Sequence, residues 1–434
     1  MSGISLGIRA GRIRAVAGLT ALLLTGAVAW SCASPVSAGI GLATSSVSRA
    51  PGSPEAAVTG ATSVDAFGFD LYRKMAATPG NLVFSPASVA LALAMAEPGA
   101  RGETAAQMDA VLHIGSGASG GNGLGALDGA LGNVSGQFPD AEGVARDVTL
   151  RIANATFGQS GMPIQQAYLD ALASRFGAGL RLVDYSHDAA GACKLIDDWV
   201  GDQTEKRIPK LLDQLDPATR LVLVNAIYLK APWLEPFVKE ATADADFTLL
   251  DGKTVRVPMM SDASVRDYAA GAGWQAADLA YVGGSLAMTV VVPDDLASFE
   301  KGLDAATFAA IEKAMQPTSM DLAMPRFTTE TKMELKDILA ALGMPLAMDP
   351  DRADFSGITS AERLVITHVV HQANISVDEK GTEAAATTAV VMATATAAPV
   401  RVNLRLDRPF VFAIRDTKTG AILFLGRIVD PSAA

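Results

Sequence analysis

Apolar positions along this chain fall into blocks whose spacing changes from one structural period to the other. Phe67, Leu71 and Met75 recur every fourth residue in the stretch opened by Ser63, which predicts a helix with one buried stripe. Ser85-Pro86-Ala87-Ser88 starts a second helix, since a serine suits the N-cap and a proline the first turn, whose N–H groups have no partner within the helix. The residues through Ala96 are almost all apolar, so this helix is expected to be central and buried. Val148 to Gln159 alternates like a strand, and Asp188 to Lys206 reads as a helix carrying Trp199. Leu221 to Leu229 is the near-continuous apolar run of a strand covered on both faces. Two more strand-like segments, about 364–377 and 402–415, lie towards the end.

The stretch between those last two segments is the unusual one. From Thr382 to Ala398 nothing is large except Met392, nothing is charged except Glu383, and no turn residue interrupts. Connections beyond about 12–15 residues without structure of their own are disordered or functional, and a near-neutral segment with Val390, Val391 and Met392 lacks the charge of a disordered one. Read at period two, one face carries Thr382, Ala384, Ala386, Thr388, Val390 and Met392, and the other Glu383, Ala385, Thr387, Ala389 and Val391. The first face is uncharged and grades from small to larger, as a strand slid into an existing sheet over a packed core requires. Gly381 supplies a pivot at its start. An Ala/Thr linker and a surface helix are the competing readings of composition alone.

The flanks decide between them. Glu379-Lys380-Gly381-Thr382-Glu383-Ala384-Ala385-Ala386 resembles the hinge of the reactive-centre loop of serpins, the serine protease inhibitor family. Asp407-Arg408-Pro409-Phe410-Val411-Phe412 and Leu423-Phe424-Leu425-Gly426-Arg427 resemble that family's C-terminal strands. Upstream, Asn81 to Ser88, Gly99 to Met108, Leu223 to Lys230 and Ala353 to Ile358 are similar to family blocks in the same order. The resemblance implies an α+β fold of three β-sheets and about nine helices, with an exposed reactive-centre loop over about 379–399. It implies an inhibitor rather than an enzyme, attacked as a substrate by a serine protease, with a non-inhibitory binding or carrier serpin as the alternative.

Site residues carry over position by position. The hinge is Glu379, Lys380, Gly381, Thr382, Glu383, Ala384, Ala385 and Ala386. Trp233 and Arg326 fall where the family opens the top of the main sheet, Arg326 standing where lysine is usual and offering Glu379 a bidentate fork. Ser85, Ser88, Asn225 and His371 fall where serpins place a hydrogen-bonded cluster under the sheet. Sixteen positions after Glu379 the count reaches Ala395, so the reactive bond is expected at Ala395-Thr396. A methyl side chain there suits elastase-like or subtilisin-like proteases with a small pocket and disfavours trypsin-like ones. The Ala/Thr repeat over 393–397 leaves the register open within 394–398.

The N-terminus reads as an address. Arg9, Arg12 and Arg14 precede an uncharged run from Ala15 to Trp30, then small residues and Val36-Ser37-Ala38. This is the layout of a secretory signal peptide over 1–38, the run being shorter than the ~20 residues needed to span a bilayer. Lipidation at Cys32, giving a surface-anchored lipoprotein, is the alternative to secretion. Residues 39–62, rich in Ala, Gly, Ser, Pro and Thr, are expected as a flexible linker before a domain over 63–431. Loss of three Arg with the signal moves the net charge from −11 to about −14, which argues against nucleic-acid binding. Cys32 and Cys193 are the only cysteines, so the mature chain has no pair to join.

Other chemistry finds little support. Gly115, Gly117 and Gly120 match a dinucleotide fingerprint, and Gly117-Ala118-Ser119-Gly120-Gly121 matches a hydrolase nucleophile motif. Each requires a strand before it and a helix after it, and a glycine-dense run over 115–143 produces such matches by chance. Zinc-protease and Cys-x-x-Cys motifs are missing from the sequence, and no metal or cofactor is expected. The resemblance implies a serine protease as the partner, and the protein is expected to be a monomer.

Overall fold

The computed structural model describes residues 39–115, 120–382 and 401–433, with backbone alone at 120 and 121. Its middle is the apolar block read above, a strand over Leu221–Pro232 with every side chain buried but one. It runs antiparallel to Ala145–Gln159 on one side and parallel to His368–Asp378 on the other. Leu180–Val183 and Phe327–Glu334 extend this main sheet outward. The second sheet runs through Val402–Arg405, Gln316–Pro325, Thr254–Gly271, Trp274–Ala280, Leu286–Pro293, Phe410–Asp416, Ile422–Ile428 and Leu82–Phe84. Thr254–Gly271 pairs with Gln316–Pro325 along most of its length, and with Trp274–Ala280 only through its last four residues. It thereby joins two strand groups, and with the main sheet these are the three sheets expected. Nine α-helices lie among the described residues.

Helix Pro86–Ala96 is apolar all round and every residue of it is buried, as a helix packed between sheets must be. Ser85 caps it, its hydroxyl accepting the Ser88 N–H at 3.0 Å. The opposite face of the main sheet carries helix Tyr185–Gln203, which with the segment after it seats Ile196, Val200, Leu211 and Leu212 against Val222, Val224 and Val370. Trp199 meets Phe157 edge-on at 5.5 Å.

The linker expected over 39–62 is instead structured. Gly41–Ala43 adds a short strand to the outer edge of Leu180–Val183. Ala50 N–H donates to Ser174 at 2.8 Å, and Arg49 reaches the Gly125 carbonyl and the Asp128 carboxylate. The first helix begins at Pro54, not Ser63, capped by the Ser53 hydroxyl. Small residues that read as flexibility serve close packing here. A Cβ on Gly60 would lie 2.3 Å from the Gly123 carbonyl oxygen, so only glycine lets this helix meet Gly120–Leu131 so closely.

That second helix also revises the reading of the glycine-dense stretch. A helix does follow the motif glycines, but helix Gly102–Val111 rather than a strand precedes them, so neither motif has its required context. The strand expected over about 402–415 is two, divided at Leu406–Pro409.

Candidate functional site

The strand His368–Asp378 rises to the top of the main sheet, and the chain then turns back on itself. Lys380 N–H donates to the Asp378 carboxylate at 2.8 Å. The carbonyls of Lys380 and Glu379 are held by the N–H groups of Trp233 and Phe237, each at 2.9 Å. Gly381 follows at φ +146°, and a Cβ there would lie 2.2 Å from the Ala231 oxygen, so both backbone angle and space demand glycine. Gly381-Thr382 is a two-residue strand between the two long ones, opposite Asp378 and Val377 on one side and Pro232 and Ala231 on the other.

Thr382 is 1% exposed and already faces the core. Its hydroxyl is 2.7 Å from that of Tyr281. Tyr281 stacks on Trp233 with ring centroids 4.4 Å apart, and the Trp233 indole N–H donates to the Asp378 carbonyl at 3.0 Å. Glu379 is buried against the Arg326 guanidinium, whose Nε is 2.8 and 2.9 Å from the two carboxylate oxygens, and Nη2 makes a further short contact. Thr242 is a second partner, its hydroxyl donating to the same carboxylate at 2.5 Å. Burial pushes the Glu379 carboxyl up, but the hydrogen bonds from Arg326 and Thr242 outweigh it and hold the group below its ordinary value.

Lower in the sheet, a polar row crosses three strands, where Asn154, Asn225 and His371 are direct neighbours in register. His371 is wholly buried; its Nε2 accepts the Ser85 N–H at 3.1 Å and its Nδ1–H donates to Asn225 Oδ1. Burial depresses it to about 3, against the opposing effect of its bond to Asn225, so it is neutral at physiological pH. Ser88 donates to Asn154 Oδ1 at 2.8 Å. The amide nitrogens of Asn154 and Asn225 are both buried without an acceptor.

Ser85, Ser88, Asn225 and His371 thus come together, as do Glu379, Lys380, Gly381, Thr382, Trp233 and Arg326. Glu383, Ala384, Ala385, Ala386, Ala395 and Thr396 lie outside the described residues. Sequence reasoning missed Asn154, Thr242 and Tyr281. Asn154-Ala155 and Asn225-Ala226 share a dipeptide on apolar strands, a cue that was available for the first. Thr242 and Tyr281 carry no local signal, being placed only by the fold.

Below the hinge the two long strands pair directly, His368 to Ala373 against Val222 to Ile227, so the sheet is closed there and parted above. Among the described residues no group of three or more His, Cys, Asp or Glu is placed to hold a metal ion. The serpin (serine protease inhibitor) family model matches residues 62–431. The chain is 33% identical to human leukocyte elastase inhibitor over 380 residues, covering 84% of this chain and 97% of that one. It is 37% identical to an uncharacterized serpin-like protein of Thermococcus kodakarensis, covering 85% of each. The native structure of the thermophilic serpin tengpin superposes with TM-score 0.78 at 26% identity, covering 91% of this chain and all of that one. With a family match over most of the chain and a relative of this identity along nearly its whole length, the protein belongs to the serpin family.

Proposed function

We propose that this serpin inhibits serine proteases as a suicide substrate, its loop entering the main sheet after cleavage near Ala395-Thr396. The observation that carries the reading is the Gly381-Thr382 strand, already hydrogen-bonded between the two strands that a longer insert must part. His371 stands opposite Asn225 in the closed sheet, and continuing the Thr382 pairing downward brings Thr388 between these same two residues. Insertion therefore asks the strands to separate sideways without slipping along each other. The same register sets Ala384 beside Leu229 and Ile375, Ala386 beside Ile227 and Ala373, and Val390 beside Leu223 and Val369, an apolar row on the core side. Thr388 there offers its hydroxyl to Asn225, whose amide now lacks an acceptor.

The inserted strand completes the sheet, so the intact form is a kinetic trap whose release drives displacement of the bound protease. Elastase-like and subtilisin-like enzymes are the proposed targets, because Ala395 fills only a small pocket. The protein acts as a secreted monomer after loss of 1–38, or as a lipoprotein if Cys32 is acylated. Incubation with pancreatic elastase should give a band at the summed mass on a denaturing gel, with a released C-terminal peptide beginning at Thr396. Clean cleavage without that band would overturn the inhibitory reading. A peptide starting outside 394–398, or faster trapping of trypsin than of elastase, would overturn the assigned bond and pocket.

A further inference from the structure

The strand beside the central one carries an arm that reaches the second sheet. Gly136–Pro139 folds back on residues 145–148, the start of Ala145–Gln159, whose pairing with the central strand begins one residue later at Thr149. The arm is fixed at both ends. At its base the Ser135 hydroxyl donates to the Leu150 carbonyl at 3.0 Å and accepts the Leu150 N–H at 2.9 Å. At its tip the Asp140 carboxylate receives the N–H groups of Glu142 and Val144 and the Arg146 guanidinium, at 3.0, 2.9 and 2.8 Å.

Phe138, on this arm, is half-buried and packs against the core. Its ring meets Gly283, where a Cβ would lie 2.7 Å from the ring Cγ and φ is +86°, so both space and backbone angle demand glycine. Gly136 faces the same ring, a Cβ there lying 3.1 Å from Cζ. Part of the glycine-dense stretch 115–143 thus serves to seat one aromatic side chain. Gly283 belongs to the turn 281–284, closed by Gly284 N–H donating to the Tyr281 carbonyl at 3.1 Å. Val282 N–H ties the turn to the Pro232 carbonyl, at the end of the central strand, at 2.9 Å. The first residue of that turn is Tyr281, which stacks on Trp233 and meets the Thr382 hydroxyl.

We propose that Phe138 is a positioning residue for loop entry, bracing the turn 281–284 so that Tyr281 and Trp233 hold Thr382 seated as the first residue of the inserted strand. The contact joins two sheets, since the arm grows from a strand of the main sheet and the turn links two strands of the second. A turn that loses packing on one side opens more often, and each opening frees Thr382. With Thr382 unseated, insertion starts later, and water has longer to hydrolyse the acyl bond to the protease serine, which releases active protease and cleaved chain. The positioning role rests on the loop-insertion reading; the bracing of the turn does not.

The test is hydrogen exchange on the intact chain, then trapping of pancreatic elastase. In Phe138→Ala, exchange at the Val282 and Trp233 N–H groups should quicken at least fivefold. The Leu335 N–H, bonded to the Val369 carbonyl at 2.8 Å towards the other end of the main sheet, should stay within twofold. The fraction of elastase trapped should fall by at least half. Phe138→Leu, which keeps apolar cover without the ring, should quicken exchange at least twofold, and it decides the matter if the alanine variant does not fold. Val144→Ala, at an exposed position of the same arm, should change neither measurement. In a Tyr281→Phe background, which removes the hydroxyl beside Thr382, Phe138→Ala should cost less than half the trapping it costs alone. Unchanged Val282 exchange in a folded variant, or equal quickening at Leu335, overturns the bracing. Quickened exchange with full trapping, or an undiminished loss in the Tyr281→Phe background, overturns the positioning role. A wild type that traps nothing overturns the inhibitory reading and the positioning role with it, while exchange still decides the bracing.

Discussion

Replacing Glu379 with glutamine isolates the clasp that holds the hinge turn. The carboxylate receives a fork from Arg326 and a hydroxyl from Thr242. A hydrogen bond involving a charged group contributes about 1.5–3 kcal/mol. The Arg326 side chain is 38% exposed, so the pairing is screened and the ionic part counts for a fraction of its buried worth. Glutamine keeps one acceptor oxygen but turns an amide donor towards donors, and a net loss of about 2 kcal/mol is expected at pH 7. If the clasp is already broken in the unfolding transition state, that loss is about a thirtyfold faster unfolding rate. The pH dependence has a definite sign. A carboxyl held below its ordinary value contributes stability that is complete above the unfolded pKa and lost as pH falls through the folded one. The gap between wild type and Glu379→Gln should therefore be full at pH 7 and shrink in acid, once pH falls below the ordinary glutamate value. Stopped-flow unfolding in urea, followed by tryptophan fluorescence, measures both. Rates within twofold at pH 7, or a gap undiminished at pH 3.5, would refute the argument.

Nicking the loop with a protease that is not trapped should raise the melting temperature, and a cleaved form melting no higher than the intact one would count against a metastable native state. Thr382→Arg is expected to lower the stability of the intact chain as well as block insertion, because the side chain it replaces is already buried and bonded to Tyr281. Thr388→Arg is the cleaner probe, converting inhibitor to substrate, and full trapping by that variant would sink the insertion register. Asp65 accepts the Ile422 N–H at 2.9 Å, and burial, with Glu312 nearby, pushes its carboxyl up to about 7. A raised folded pKa gives stability that is complete below the unfolded value and lost as pH rises through the folded one, so wild-type stability should fall between about pH 4 and 7. Asp65→Asn should flatten that fall, and urea midpoints that decline equally in both proteins would show the proton to lie elsewhere.

The central strand, the buried helix after Ser85 and the turn at Gly381 were legible because each carries its cause locally, as a continuous apolar run, a capping serine before proline, or a glycine at the pivot. The ion pair of Arg326 with Glu379 was reachable through family position, since no spacing rule joins residues so far apart in the chain. The stretch 39–62 was misread because alanine and glycine have two uses. They loosen a chain that touches nothing, and they let two helices approach closely, as at Gly60 and Gly123. Which use applies depends on a partner helix far along the chain. Thr242 and Tyr281 were invisible for the same reason, being polar groups whose task is set by what the fold carries to them.

The short strand Gly41–Ala43 has a consequence for how copies of this protein meet one another. An unpaired sheet edge is a template on which another chain can add a strand. Here Leu180–Val183 would be such an edge, and the N-terminal segment occupies its outward-facing backbone groups. The opposite edge, Phe327–Glu334, is blunted differently, carrying Glu330, Lys332 and Glu334 along its length. The two outer margins of the main sheet are thus blunted in different ways, one reduced to a strand of three residues and the other carrying charge. The two-residue strand Gly381-Thr382, by contrast, lies in the sheet's interior, between two strands that pair directly below it.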